Sequence, residues 1–232
     1  MKIGIIGAMK EEIDYFLRQG TSFEKSQKAH LTIYEGKWHG HHVVMTQCGV
    51  GKVNGAVTTQ ILIDHYSIEA ALFTGVAGAL DPELEIGDLV ISEDCIQHDL
   101  DGSPLGFKRG EVPMFSGRSQ FKADELLVNI AFEEAVSLKD GNVKKGRVLS
   151  GDQFIADSES VDELYTTFNG HCVEMEGAAV AYTAMVNEVP FVIIRSISDK
   201  ANGEAADSFT IFVEKTAVRS ATLVEKMLQR IS

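Results

Sequence analysis

The chain has 232 residues, 44% hydrophobic and 24% charged, the balance of a folded globular domain, which excludes disorder. Its net charge of −13, from 21 basic against 34 acidic residues, excludes a sequence-independent grip on nucleic acid or on an anionic membrane, because both need clustered lysine and arginine. Cys48, Cys95 and Cys172 are odd in number and far apart, so neither a disulfide framework nor a zinc site is expected.

No apolar stretch approaches the roughly 20 residues of a membrane span, and MKIGIIGAM is too short before KEEID to read as a secretory signal. The expectation is a cytoplasmic protein that acts on a small molecule. No Pro/Gly/Ser-rich linker or charge run divides the chain, so residues 1–232 are expected to form one domain.

In chain order, KIGIIG (2–7) reads as a buried strand that hands over at a glycine to a helix. Such a helix start offers unpaired N–H groups and a partial positive charge, a natural seat for a ligand's anion. Here Glu11 and Glu12 already occupy the first turn. HLTIYEGKW (30–38) and HHVVMTQ (41–47) read as an antiparallel hairpin turning near His39-Gly40, followed by a helix over 53–66. Strands at 69–76 and 88–97 precede a helix over 122–137. Strands at 145–150 and 172–175, a helix over 176–187 and a strand at 191–198 complete the alternation. From Ser208, Phe209, Phe212, Val213, Thr216, Ala217, Ser220, Val224, Met227, Leu228 and Ile231 fall on one helical face. Strands alternating with helices imply a parallel or mixed sheet covered on both sides.

In such sheets ligands bind beyond the carboxyl ends of the strands. Four places there carry polar residues: Glu11/Glu12, GVAGAL after Thr74, EMEG at 174–177 and RSISDK at 195–200. The simplest reading of Glu12 alone is a helix N-terminal carboxylate, and of Asp199 a cap or turn residue. Glu174 and Glu176 are expected to share a strand face. Arg195, inside a β-branched run, needs an acidic partner if buried, and either glutamate would serve. Together, several carboxylates and one buried arginine suit cleavage of a bond between a sugar and its leaving group: one acid protonates the leaving group, another activates water, a third holds the sugar.

Other signals are weaker. GVGKVNGA (49–56) has Asn54 where a dinucleotide fingerprint needs its third glycine, and Thr46 and Val53 where a P-loop needs glycine and Ser/Thr. His39, His41 and His42 read as solvated residues of a hairpin tip rather than metal ligands. HDLDG (98–102) lacks the later ligands of a calcium loop.

The motifs GIIGAMKEE, GVGKV, TGVAG, SGDQFI, VEMEGAA and SISD together resemble the bacterial 5′-methylthioadenosine/S-adenosylhomocysteine nucleosidases of the purine nucleoside phosphorylase superfamily, almost end to end. The resemblance implies a three-layer α/β/α sandwich with a central mixed sheet, a homodimer, and hydrolysis of an adenosine thioether's N-glycosidic bond without cofactor or metal. It implies Glu12 as general base for water and Asp199, in the SISD motif with Ser198, as the group that protonates purine N7. Glu176 would hold the ribose hydroxyls beside Met175, Arg195 would support that carboxylate, and Glu174 would also face the substrate. Phe154 would stack on adenine and the Ile155 backbone would read its edge. Met9, Val50 and Phe209 would line the 5′-thioether slot, with Val76 and Gly78 of TGVAG against the sugar. A loop with Leu105 and Phe107 would come from the partner subunit. The chain departs from the family in having Val76 where serine is frequent, and Gly102 and Leu105 where larger or aromatic side chains are usual.

A phosphorylase must bind phosphate beneath the sugar, where Glu12 would repel it and orient water instead. A non-catalytic nucleoside-binding protein and a Rossmann-type oxidoreductase are the other readings. The first is disfavoured by Glu12, Glu176 and Asp199 together, the second by the glycine spacing.

Overall fold

The computed structural model of the chain describes residues 1–19, 22–114 and 119–231. Its first half runs β1 (Lys2–Gly7), α1 (Lys10–Gln19), β2 (Glu24–Lys28), β3 (Leu31–Trp38), β4 (His41–Gln47), α2 (Lys52–Tyr66), β5 (Ala70–Ala79) and β6 (Leu89–Gln97). After a short 3₁₀ turn at Ser103–Leu105 come β7 (Phe121–Lys122), α3 (Glu125–Ser137), β8 (Val143–Ser150), α4 (Ser158–Phe168), β9 (Cys172–Glu174), α5 (Gly177–Val186), β10 (Phe191–Asp199) and α6 (Ala205–Leu228).

The sheet is mixed, and half of it closes on itself. β5 pairs with β10, β10 with β6, β6 with β8, β8 with β9, and β9 returns to β5. From β5 an open wing continues through β1, β4, β3 and β2. Successive side chains alternate between two faces, as the pleat requires. Ala71 and Phe73 of β5 therefore join the core beneath α2 and α5, while Ala70 and Leu72 join the core beneath α1, α3 and α6. Helices on both faces of a mixed sheet give the expected three layers. A smaller third cluster seats Leu164 and Phe168 of α4 against Leu149 and Ile96.

The hairpin turns where expected, with His39 and Gly40 both at positive φ (45° and 85°), the conformation a two-residue turn between twisted strands demands. Its histidines are less solvated than expected. His41 is buried, and its Nε2 lies 3.1 Å from Leu228 O and 3.0 Å from Ile231 O, where the end of α6 leaves carbonyls unpaired. His39 and His42 pair with Glu225 and Glu35 instead, and no cluster able to hold a metal occurs among the described residues.

Three elements differ from expectation. β2 (EKSQK) is a polar edge strand without an apolar period, held by pairing with β3, whereas α4, absent from the expected elements, carries Val161, Leu164, Tyr165 and Phe168 at helical spacing and buries Leu164 and Phe168. Lys122, expected to open a helix, ends β7 instead; α3 begins after Asp124, whose side chain accepts from Leu127 N at 2.9 Å.

Candidate active site

Beyond the carboxyl ends of β1, β5, β9 and β10 lies a cleft in which the predicted residues meet. Met9, Glu12, Val50, Val76, Gly78 and Phe154 line it, as do Ile155, Glu174, Met175, Glu176, Ser198, Asp199 and Phe209. Arg195 sits behind this lining, fully buried. Leu105 and Phe107 are not among its lining residues, and Leu105 is 73% exposed on its short turn. Gln153 and the small residues Ala8 and Ala77 also face the cleft; they lie outside the expected set, although they fall within SGDQFI, GIIGAMKEE and TGVAG beside residues that belong to it.

Glu12 reaches back from the first turn of α1 to accept from the N–H groups of Ala8 (2.5 Å) and Met9 (2.9 Å), which the helix leaves unpaired. Its other oxygen accepts from Val76 N at 3.0 Å, so the carboxylate bridges the start of α1 to β5. It is thus both a helix-terminus carboxylate and a cleft residue. Burial raises its carboxyl above the ordinary range, opposed by the Arg195 charge and the three N–H donors. Because a backbone N–H holds it, valine at position 76 leaves this bond intact. Gly75 is what the arrangement requires, since a Cβ there would collide with both the Glu12 carboxylate and the Arg195 guanidinium.

β9 stops at Glu174, so Glu174 and Glu176 do not share a strand face. Glu176 is instead the residue that precedes α5, with φ −136° and ψ −36°, and it makes no side-chain cap to its own helix. Its carboxylate turns to the start of α2 and accepts from Gly51 N at 2.7 Å. Glu174 takes the structural part: Arg195 and Ser150 Oγ donate to it, as does Gly177 N at 2.7 and 2.9 Å. Arg195 lies 3.9 Å from Glu176, so its direct partner is Glu174, and its guanidinium stacks 4.0 Å from the Phe73 ring centroid. Burial and then the Glu174 charge push the Glu176 carboxyl up, with Arg195 and Gly51 pulling the other way. Ser150, Phe73 and Gly75 support the acids from behind. They reveal themselves only once the strands are in register.

Asp199 ends β10 at a bulge. Ile197 pairs with Ala77 but Asp199 pairs with Gly78, so one extra residue enters β10 and re-aims the end of the strand. Ser198 Oγ donates to one Asp199 oxygen at 2.8 Å and Ala201 N to the other at 2.8 Å. Burial raises this carboxyl, and these two bonds oppose the rise. A Cβ on Gly78 would lie 2.9 Å from Asp199 Oδ1, so the glycine gives the carboxylate its space. On the far side Phe154 and Phe209 meet edge to face at 5.9 Å.

Every charged side chain lining the cleft is acidic, and no lysine or arginine lines it among the described residues. The bulge-mounted acid, the buried Glu12 and the Glu176 carboxylate therefore define a cleft for acid–base chemistry on a neutral or cationic group, not for binding a phosphate dianion.

Residues 2–231 match the model of the phosphorylase superfamily. The 5′-methylthioadenosine/S-adenosylhomocysteine nucleosidase of Staphylococcus saprophyticus is 37% identical over 230 residues, covering 99% of this chain and 100% of that protein. Among solved structures, the nucleosidase of that name from Neisseria meningitidis, in complex with methylthio-immucillin-A, superposes with a TM-score of 0.95 at 34% identity, covering 99% of each chain. The native futalosine hydrolase of Helicobacter pylori strain 26695 superposes with a TM-score of 0.95 at 35% identity, over 100% of this chain and 98% of that one. The chain belongs to the phosphorylase superfamily, and within it to the 5′-methylthioadenosine/S-adenosylhomocysteine nucleosidases.

Proposed function

We infer that the protein hydrolyses the N-glycosidic bond of 5′-methylthioadenosine and S-adenosylhomocysteine, and also of 5′-deoxyadenosine, releasing adenine and the corresponding ribose. The observation that carries this reading is a cleft whose charged lining is wholly acidic, drawn from three separate segments, in a member of this family. Glu12, held by three N–H groups, takes a proton from the attacking water. A purine leaves poorly as an anion, so Asp199, its carboxyl raised by burial, gives a proton to N7 as the bond breaks. The ribosyl group passes through an oxocarbenium-like state, which the surrounding carboxylates stabilise.

Glu176, unengaged by its own helix, accepts from the ribose hydroxyls beside Met175. Phe154 stacks on the base while the backbone of Ile155 reads its edge, and Met9, Val50 and Phe209 receive the 5′-thioether. The protein acts as a homodimer of single-domain chains, each lending the Leu105–Phe107 loop to its partner's tail slot. The exposure of Leu105 and its absence from the cleft of its own chain support this arrangement. No metal or cofactor enters this scheme.

The test is incubation with each nucleoside, with and without phosphate, and identification of the sugar. Free thioribose at a rate indifferent to phosphate is expected; a sugar 1-phosphate would overturn the reading. Futalosine belongs in the same panel because of the likeness to the H. pylori hydrolase.

A further inference from the structure

Phe154 and Ile155 sit on a stretch held by side-chain packing, Phe154 on Phe209 and Ile155 on the cluster around Leu164 and Phe168. Among the described residues, the backbone of residues 153–156 makes no hydrogen bond. Its last hydrogen-bonded backbone anchor before α4 is Asp152, and Asp152 is fastened from two directions.

β6 and β8 run parallel with Gln97 opposite Ser150, so Asp99 and Asp152 leave the sheet side by side. Asp99 Oδ2 accepts from Asp152 N at 3.0 Å, and Asp99 Oδ1 accepts from Lys52 Nζ at 2.5 Å. Asp152 Oδ1 in turn accepts from Lys52 N at 2.8 Å, and its other oxygen lies 3.8 Å from Lys52 Nζ. The residue preceding α2 is Gly51, which has no side chain to cap the helix. The first N–H groups are therefore satisfied from outside, Gly51 N by Glu176 and Lys52 N by Asp152. Gly51, at φ 103°, suits this backbone shape as no larger residue does.

One helix start thus carries both the ribose-holding carboxylate and the root of the purine-binding stretch, and Asp99 with Lys52 locks the second to the first. The Lys52 and Asp99 side chains are only 15% and 26% exposed, which limits screening of their ion pair. Burial works to raise the Asp99 carboxyl, yet the Lys52 and Asp152 donors outweigh it and hold the group below its ordinary range.

We propose that Asp99 and Lys52 are positioning residues for purine recognition: they clasp the root of the Phe154–Ile155 stretch to the start of α2 and thereby set affinity for the base without entering the chemistry. The proposal rests on the reading of Phe154 and Ile155 as the purine-binding residues.

The experiment measures kcat and KM for methylthioadenosine, and the Kd of free adenine by calorimetry, in the full chain. Asp99→Ala raises KM and the adenine Kd by about tenfold each while kcat stays within about twofold, because the clasp orders the base site and not the acid or base. Asp99→Asn keeps an acceptor for Asp152 N but loses the ion pair, so it falls between. Lys52→Ala resembles Asp99→Ala, and Lys52→Arg recovers most of the affinity. Phe154→Ala costs less adenine affinity in the Asp99→Ala background than in the parent, since the stacking ring is already misplaced there.

An adenine Kd unchanged in both Asp99 variants, with Phe154→Ala still weakening it, overturns the clasp alone. Equal loss of kcat and KM with additive Phe154 effects also overturns it, marking the network as a support of the fold only. An adenine Kd that ignores Phe154→Ala overturns the purine-binding reading, and the proposal with it.

Discussion

Replacing Asp199 by asparagine separates chemistry from folding. The amide oxygen still accepts from Ala201 N, and the amide nitrogen can donate to Ser198 Oγ, so both bonds at 2.8 Å have a counterpart. What disappears is the proton that the purine receives. General acid catalysis is worth about 10²–10⁴-fold, or roughly 3–5 kcal/mol of barrier, so kcat falls by that factor while KM changes little.

Stability moves the other way. The folded carboxyl is raised above its unfolded value, so the stability Asp199 contributes is present at low pH and is lost as pH rises through the folded value. Asparagine has no such loss, and at pH 8 the variant melts no lower than the parent. The alkaline limb of the kcat/KM profile belongs to the same proton and flattens in the variant. The acid limb belongs to Glu12 and Glu176, which must be ionised and whose carboxyls burial raises, and it persists. Stopped assays of adenine release across pH 5–9, beside calorimetric melts, read all of this. A kcat within about tenfold of the parent, or a loss accompanied by a much lower melting temperature at pH 8, would refute the assignment.

Arg195→Met strands the buried Glu174 carboxylate beside Glu176 and Glu12, and is expected to destabilise the chain by about 3–5 kcal/mol in urea melts. A loss under about 1 kcal/mol would show the pair to be dispensable. Leu105→Asp places a charge on the exposed loop and is expected to yield monomers by light scattering at micromolar concentration, with a raised KM for the thioether nucleosides. An unchanged mass and KM would remove the loop from both interface and tail slot.

Much of this molecule is legible before any coordinates. The buried strands announce themselves through β-branched runs, the hairpin through His39-Gly40, and Glu12, Glu176 and Asp199 through their positions after strands. The rest stays hidden because it depends on where the chain bends in space. That Glu174 and not Glu176 pairs with Arg195, and that the two share no strand face, comes from β9 ending at Glu174 rather than Met175. The bulge at Asp199 leaves no compositional trace, since one extra strand residue looks like any other. β2 takes its form from pairing with β3 against weak local preference, while the apolar spacing from Val161 to Phe168 that makes α4 is present in the sequence itself. His41 illustrates the reverse: a turn-side histidine becomes a buried cap because α6, from the other end of the chain, terminates against it.

The closed half of the sheet divides the labour of this molecule. Val76, Glu174 and Asp199 all ride on strands of that ring, where each strand is gripped by neighbours on both sides, and Glu12 is tied to it through Val76 N. The stretches proposed to touch base and tail, 101–113 and 151–157, hang outside it. On the proposed roles, evolution or a protein engineer could exchange these outer segments to re-address the enzyme toward another nucleoside, while the carboxylates of the ring keep their alignment.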